Sequence, residues 1–300
     1  MALTSPGVVK TTNEILVALA PELTMVKEFS YDISDTVEDF GAKVRVPMID
    51  GGTAENYGDD NCSDTNTGNY EHSTGSLSDI FVTLDKQPKV TIPITQTDKL
   101  ELPNDSFWTR AAEAGRNSIG KAISGKICGL FTADNCLAGK KVIGSSDLSN
   151  EKVKAKVAGL RADAATKGRV GDYVVLLDPV YFAELINELP ANIYGGVDPI
   201  KDGVIPALFG FRAVLQANDL PEGVKGALVP ANGVAVAVRP VAIPDPAAYP
   251  ECGVVTDENG FSLTAMRHTS FATAKAFYNV TALVGADILR KNDTFYIAAS

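Results

Sequence analysis

Three hundred residues with 45% hydrophobic content can bury a substantial core, which excludes a chain disordered throughout. The net charge of −10 argues against a nucleic-acid reader, because such proteins neutralise phosphates with clustered Lys and Arg. No apolar run reaches the roughly 18 residues of a membrane span, and the N-terminal stretch lacks the basic and apolar regions of a secretory leader.

In chain order, the first clear elements are strands. Residues 42–48 (AKVRVPM) alternate between apolar and polar, and 79–85 (DIFVTLD) and 88–95 (PKVTIPIT) do so again, with Val90, Ile92 and Ile94 on one face. These segments are predicted as the two sides of a long hairpin. Between them, residues 51–78 contain Leu77 as the only large aliphatic and Tyr57 and Tyr70 as the only aromatics. From Pro47 through Asp85 there are eight acids (Asp50, Glu55, Asp59, Asp60, Asp64, Glu71, Asp79 and Asp85) and no Lys or Arg. Without those eight charges the remaining net charge is −2. A structureless stretch beyond about 12–15 residues is uncommon in a compact domain, so a partner surface or disorder must account for this one. Asp59, Asn61, Ser63 and Asp64 offer oxygen ligands, but the DxDxDG order, the following glutamate and flanking helices of a calcium loop are missing. A solvated loop and a loop lying on a neighbouring subunit are the readings that remain ahead of metal binding.

After Pro103, Asn104 or Asp105 caps a helical pattern predicted over 104–131, about 42 Å long. At 100° per residue Trp108, Ala112, Ile119, Ile123 and Leu130 share one apolar face, and Ser106, Arg110, Asn117, Lys121 and Ser124 lie opposite. Gly115, Gly120, Gly125 and Gly129 each cost up to about 1 kcal/mol relative to alanine, so close packing must compensate. Next come a predicted helix over 150–167, a strand at 172–178 (DYVVLLD), and a helix begun by Asp178 and Pro179. FRAVLQA, GALVPA and GVAVAVR read as short strands, the proline-dense 243–251 as a connector, and FSLTAMRH, AKAFYNVTALVGADIL and TFYIAAS as strands again.

Catalytic signatures are not found. His72 and His268 are the two histidines, and no GxSxG, Walker A, GxGxxG or HExxH pattern accompanies them. Cys62, Cys128, Cys136 and Cys252 show no CxxC spacing and are expected as buried or incidental thiols. No cofactor or metal is expected.

The order of these elements resembles the major capsid proteins of tailed bacteriophages with the HK97-type fold, an α+β architecture. The resemblance rests on FVTLDKQPKVTIPIT, DYVVLLDPVYFAELIN, GFRAVLQANDLP and ALVGADILRKNDTFYIAAS in that sequence, and it covers nearly the whole chain. It implies an N-terminal arm (1–42), an extended E-loop hairpin (43–95), a P-domain segment (96–147) with its spine helix (104–131), an A-domain (148–243) and P-domain return strands (244–300).

The function implied is structural and not enzymatic: self-assembly through hexamers and pentamers into an icosahedral phage head around double-stranded DNA, held without sequence-specific contacts. Implied partners are other copies of the chain, a separate scaffold, a portal and decoration proteins, with no membrane. The implied location is the virion capsid, assembled in the cytoplasm of the bacterial host. Because the chain begins directly with the arm, assembly is expected with a separate scaffold or none. The E-loop would reach an adjacent subunit, its acids (Asp59, Asp60, Asp64, Glu71) facing bases drawn from Arg110, Lys121, Lys126, Lys140 and Lys141. Some relatives crosslink an E-loop lysine, and the absence of lysine between Pro47 and Asp85 implies no such link here. Two alternatives are an encapsulin-like compartment shell with the same fold, and an α/β enzyme using Asp172, Asp178 and Glu184. Those three acids read more simply as a strand edge, a helix cap and an exposed helix position.

Overall fold

The computed structural model describes residues 26–33, 40–50, 76–94, 118–139, 142–144, 148, 152–168, 170–189, 204–242, 251–256, 261–270 and 275–299. In chain order the strands are β1 (Ser30–Asp32), β2 (Lys43–Asp50), β3 (Ser76–Thr83), β4 (Lys89–Ile94), β5 (Leu137–Ala138), β6 (Tyr173–Leu177), β7 (Val204–Pro206), β8 (Ala213–Gln216), β9 (Val224–Pro230), β10 (Val234–Arg239), β11 (Glu251–Thr256), β12 (Ser262–Ser270), β13 (Lys275–Thr281), β14 (Leu283–Ile288) and β15 (Phe295–Ala298). The helices are α1 (118–128), α2 (Val153–Gly159), α3 (Arg161–Lys167) and α4 (Pro179–Glu188).

A six-stranded mixed sheet runs in the order β5-β15-β9-β6-β8-β7. Its central strand, Tyr-Val-Val-Leu-Leu, is apolar throughout because both faces are covered. Tyr173, Val175 and Leu177 pack against Val153, Val157 and Leu160 of the α2–α3 region and Phe182 and Leu185 of α4. Val174 and Leu176 face the other way, into a core shared with Ile119, Ile123 and Ile127 of α1. The 3.6-residue period of the helix and the two-residue period of the strand thus meet in one interior.

That interior also takes in a three-stranded sheet (β1-β10-β14) and an antiparallel four-stranded sheet (β11-β12-β13-β4). Strand β10 divides its side chains between cores: Val234, Val236 and Val238 point toward α1, whereas Ala235 and Ala237 lie under the root of the β2–β3 hairpin. The segment before β1 is anchored by Val26 and Phe29, both buried, the Phe29 ring meeting Phe131 edge-on at 6.2 Å.

Several sequence expectations change. The hairpin is β2 paired with β3, from Lys43 opposite Thr83 to Asp50 opposite Ser76. The following strand, expected to continue its descending side, instead crosses to the four-stranded sheet and pairs with β13. The single helix predicted over 150–167 is divided at Leu160 into α2 and α3. Gly159 precedes the break, and the N–H of Leu160 bonds the carbonyl of Val157 three residues back, a local tightening of the turn. Strand β10 pairs with β14, and β15 inserts beside β9, so the last strands of the chain join two different sheets. Of the predicted 104–131 helix, residues 104–117 lie outside the described residues and the helix ends at 128.

Candidate assembly surface

The root of the hairpin is fixed by main-chain bonds. Gly41 N–H donates to Leu84 O at 2.9 Å, and Lys86 and Val284 exchange bonds of 3.2 and 2.8 Å. Here the chain crosses β14 so closely that a Cβ on Gly285 would lie 2.6 Å from the carbonyl oxygen of Thr83. One face of the hairpin rests on the protein's own core through Val44, Val46 and Val82. Because strand side chains alternate, Leu77 and Phe81 are on the other face, where they are 65% and 53% exposed, beside exposed Pro47.

Asp79 and Asp85, two of the eight acids of the stretch that holds no Lys or Arg, find partners in space. The register sets Asp79 opposite Pro47 and therefore diagonal to Arg45, whose Nε lies 2.7 Å from the carboxylate. That bond, with the carboxylate's charge, raises the pKa of Arg45. Asp85 accepts from Lys126 Nζ at 2.7 Å, tying the hairpin root to α1. Lys126, expected to serve a neighbouring subunit, thus has an acidic partner in its own chain. Lys121 is exposed on α1, while Asp59, Asp60, Asp64, Glu71, Arg110, Lys140 and Lys141 lie outside the described residues. The exposed pair Leu77 and Phe81 was not singled out from sequence, although the alternation of β3 already separates it from Ile80 and Val82.

Between α1 and the link from β3 to β4 is a groove of about 560 Å³. Ala122, Gly125 and Gly129 form one side, Pro88 and Leu130 add apolar walls, and Lys86 stands at the rim. A second depression, about 380 Å³, lies on the four-stranded sheet. There Nδ2 of Asn279 is 3.1 Å from Nδ1 of His268, whose ring stacks on Phe277 at 5.4 Å.

The acids named for an enzymatic alternative are dispersed. Asp172 and Asp178 flank the two ends of β6, about 20 Å apart along an extended chain. Asp178 caps α4 by accepting from Val180 N–H at 3.0 Å, and Pro179 fills the first turn. Burial pushes the thiol of Cys128 up to about 11 and that of Cys136 to about 12, away from nucleophilic thiolate. Among the described residues no group of three or more His, Cys, Asp or Glu could hold a metal ion, and no helix is long and apolar enough to cross a membrane.

No protein-family profile and no curated protein sequence matches the chain. Solved structures do. The capsid of cyanophage P-SCSP1u is similar with a TM-score of 0.59 at 12% identity, over 92% of this chain and 88% of that one. The capsid of Ralstonia phage GP4 gives 0.51 at 12% identity, over 90% and 86%. A virus-like particle from Pyrococcus furiosus gives 0.51 at 10% identity, over 95% and 96%. At these identities the common property is the fold: this is a mixed α+β chain with the fold of phage capsid proteins, as the sequence resemblance led us to expect.

Proposed function

We propose that this protein is the shell-forming subunit of a phage capsid of the HK97 type. The observation that carries the reading is agreement in fold along roughly nine-tenths of both chains. Supporting it is a hairpin whose outer face exposes Leu77 and Phe81 on either side of the Arg45–Asp79 ion pair, next to a sequence segment with little to bury in itself.

In this reading the hairpin is the E-loop. It reaches an adjacent subunit, and hexamers and pentamers of the chain enclose double-stranded DNA in a virion assembled in a bacterial cytoplasm. Asp59, Asp60, Asp64 and Glu71 face Lys121, Arg110, Lys140 or Lys141 of the neighbour. A scaffold, a portal and decoration proteins are its other partners, and the chain carries no catalytic activity. The acidic balance suits a wall that confines DNA without gripping phosphates. A compartment shell enclosing enzymes is the second reading, favoured by the 95% and 96% coverage of the match to the Pyrococcus furiosus particle.

Negative-stain microscopy of the purified chain tests the proposal. Closed shells, tubes or capsomer rings are expected, and dispersed compact monomers would refute it. Particles recovered with nucleic acid would favour the virus, and particles recovered with a copurifying enzyme the compartment.

A further inference from the structure

We propose that the Asn232–Gly233 turn is a latent deamidation site, held inactive by the N-terminal segment Val26–Ile33. Such a site belongs to the single chain, whether or not copies of it assemble.

In an Asn-Gly pair the side-chain amide is especially open to attack by the next backbone nitrogen, because glycine has no Cβ to shield it. Here the pair links β9 to β10, strands of two different sheets. The Gly233 N–H donates to Pro230 O at 2.9 Å and closes a four-residue turn, in which Asn232 takes the third position at φ 57°. Glycine and asparagine are the residues that commonly fill such a place. Glycine is also required at 233, where a Cβ would lie 2.8 Å from Pro230 O. Asn232 is exposed and open to water, whereas Gly233 is buried.

Three distant parts of the chain grip this turn. Ala231 N–H donates to Asp172 O at 2.6 Å, Gly233 O accepts from Leu289 N–H at 2.8 Å, and Gly233 N–H donates to Phe29 O at 3.0 Å. The last of these bonds decides the chemistry. In deamidation the Gly233 nitrogen gives its proton to a base and bonds to Cγ of Asn232, the side-chain amide leaves as ammonia, and water opens the resulting cyclic imide to aspartate or isoaspartate. A nitrogen whose hydrogen is held by two carbonyls neither loses that proton readily nor turns toward Cγ. Pro230 O belongs to the turn itself, but Phe29 O arrives with the N-terminal segment. That segment is held by few features: β1 is the terminal strand of its sheet, paired with β10, Glu28 lies 3.0 Å from Arg212, and Phe29 packs on Phe131. When it lifts, the reacting nitrogen is released from Phe29 O. Conversion then places a negative charge at Asn232, and isoaspartate also lengthens the backbone inside a gripped turn, so the change is one-way.

The test follows amide-to-acid conversion at Asn232 by mass spectrometry of the peptide that spans it, in the full-length chain kept at mildly alkaline pH well below its melting temperature. The folded chain is expected to convert at least about tenfold more slowly than the same chain unfolded in urea, since reaction waits on local opening. Phe29→Ala and the milder Phe29→Leu should each speed conversion, alanine more than leucine, and the leucine variant carries the comparison if the alanine variant does not fold. Leu185→Ala lowers stability from a different core cluster and should leave the rate near that of the unaltered chain. Conversion of the folded chain at the unfolded rate, or Phe29 variants that react no faster than Leu185→Ala, would overturn the proposal.

Discussion

Asp178 illustrates how a single side chain sets the course of this backbone. Its carboxylate satisfies the Val180 N–H at the end of a buried strand, and Pro179 supplies the first-turn φ, so the chain leaves β6 directly into α4. Asp178→Ala should lower stability by about 0.5–2 kcal/mol in denaturant titration. This cap was legible in the sequence because its signal is local. Phe29 was not: its burial against Phe131, 102 positions away, depends on a fold that brings the N-terminal segment beside the end of α1. Phe29→Ala should cost about 3–5 kcal/mol, and an effect below about 1 kcal/mol would contradict its anchoring role. The cysteines set an alkaline limit. Burial raises the folded thiol pKa of Cys128 and Cys136 above the ordinary 9.0, so their protonated form is favoured by folding. The stability they contribute is fully present below pH 9 and is lost as pH rises through about 11 to 12. Denaturant midpoints measured across that interval should fall, and C128A/C136A should flatten that part of the decline.

At the scale of elements, periodicity identified most of the described strands but not their partners. The run Tyr-Val-Val-Leu-Leu announces a strand covered on both faces, yet nothing in it says that β8 and β9 are its neighbours. For the same reason β4 was grouped with the hairpin, although its alternation fits equally well against β13. The break at Leu160 was missed because the apolar pattern continues through it, while one glycine suffices to tighten the turn. Long-range side-chain bonds then fix how elements sit together. Glu188, at the end of α4, accepts from the N–H groups of Val153 and Lys154 at 2.9 and 2.7 Å, capping α2 from a distant element. Glu188→Ala leaves both donors without that acceptor and should cost about 1–3 kcal/mol, read from the thermal unfolding transition. Gly285→Val should loosen the hairpin root, since no side chain fits under Thr83. Faster amide exchange at Gly41, Lys86 and Val284 is the expected readout, and unchanged exchange would speak against that close crossing.

For the whole molecule, the described ends of the acidic stretch and the apolar pair Leu77 and Phe81 belong to one element, the β2–β3 hairpin. Its charge was evident from composition, and the exposure of Leu77 and Phe81 became clear only once the β2–β3 register separated inner from outer residues. In the proposed shell the two features would make different contributions to assembly. Exposed ion pairs are worth about 0–1 kcal/mol each and are screened by salt, whereas apolar burial is not. Raising salt to about 1 M, where the screening length is about 3 Å, should therefore raise the concentration needed for assembly without abolishing it.

The most direct measurement is the mass of the unaltered, purified chain by multi-angle light scattering as its concentration is raised. A shell subunit will pass from a 31.6 kDa species to particles many times larger, with a sharp threshold and closed or ring-like outlines under the microscope. A mass that stays at one or two chains over the whole range would contradict the account.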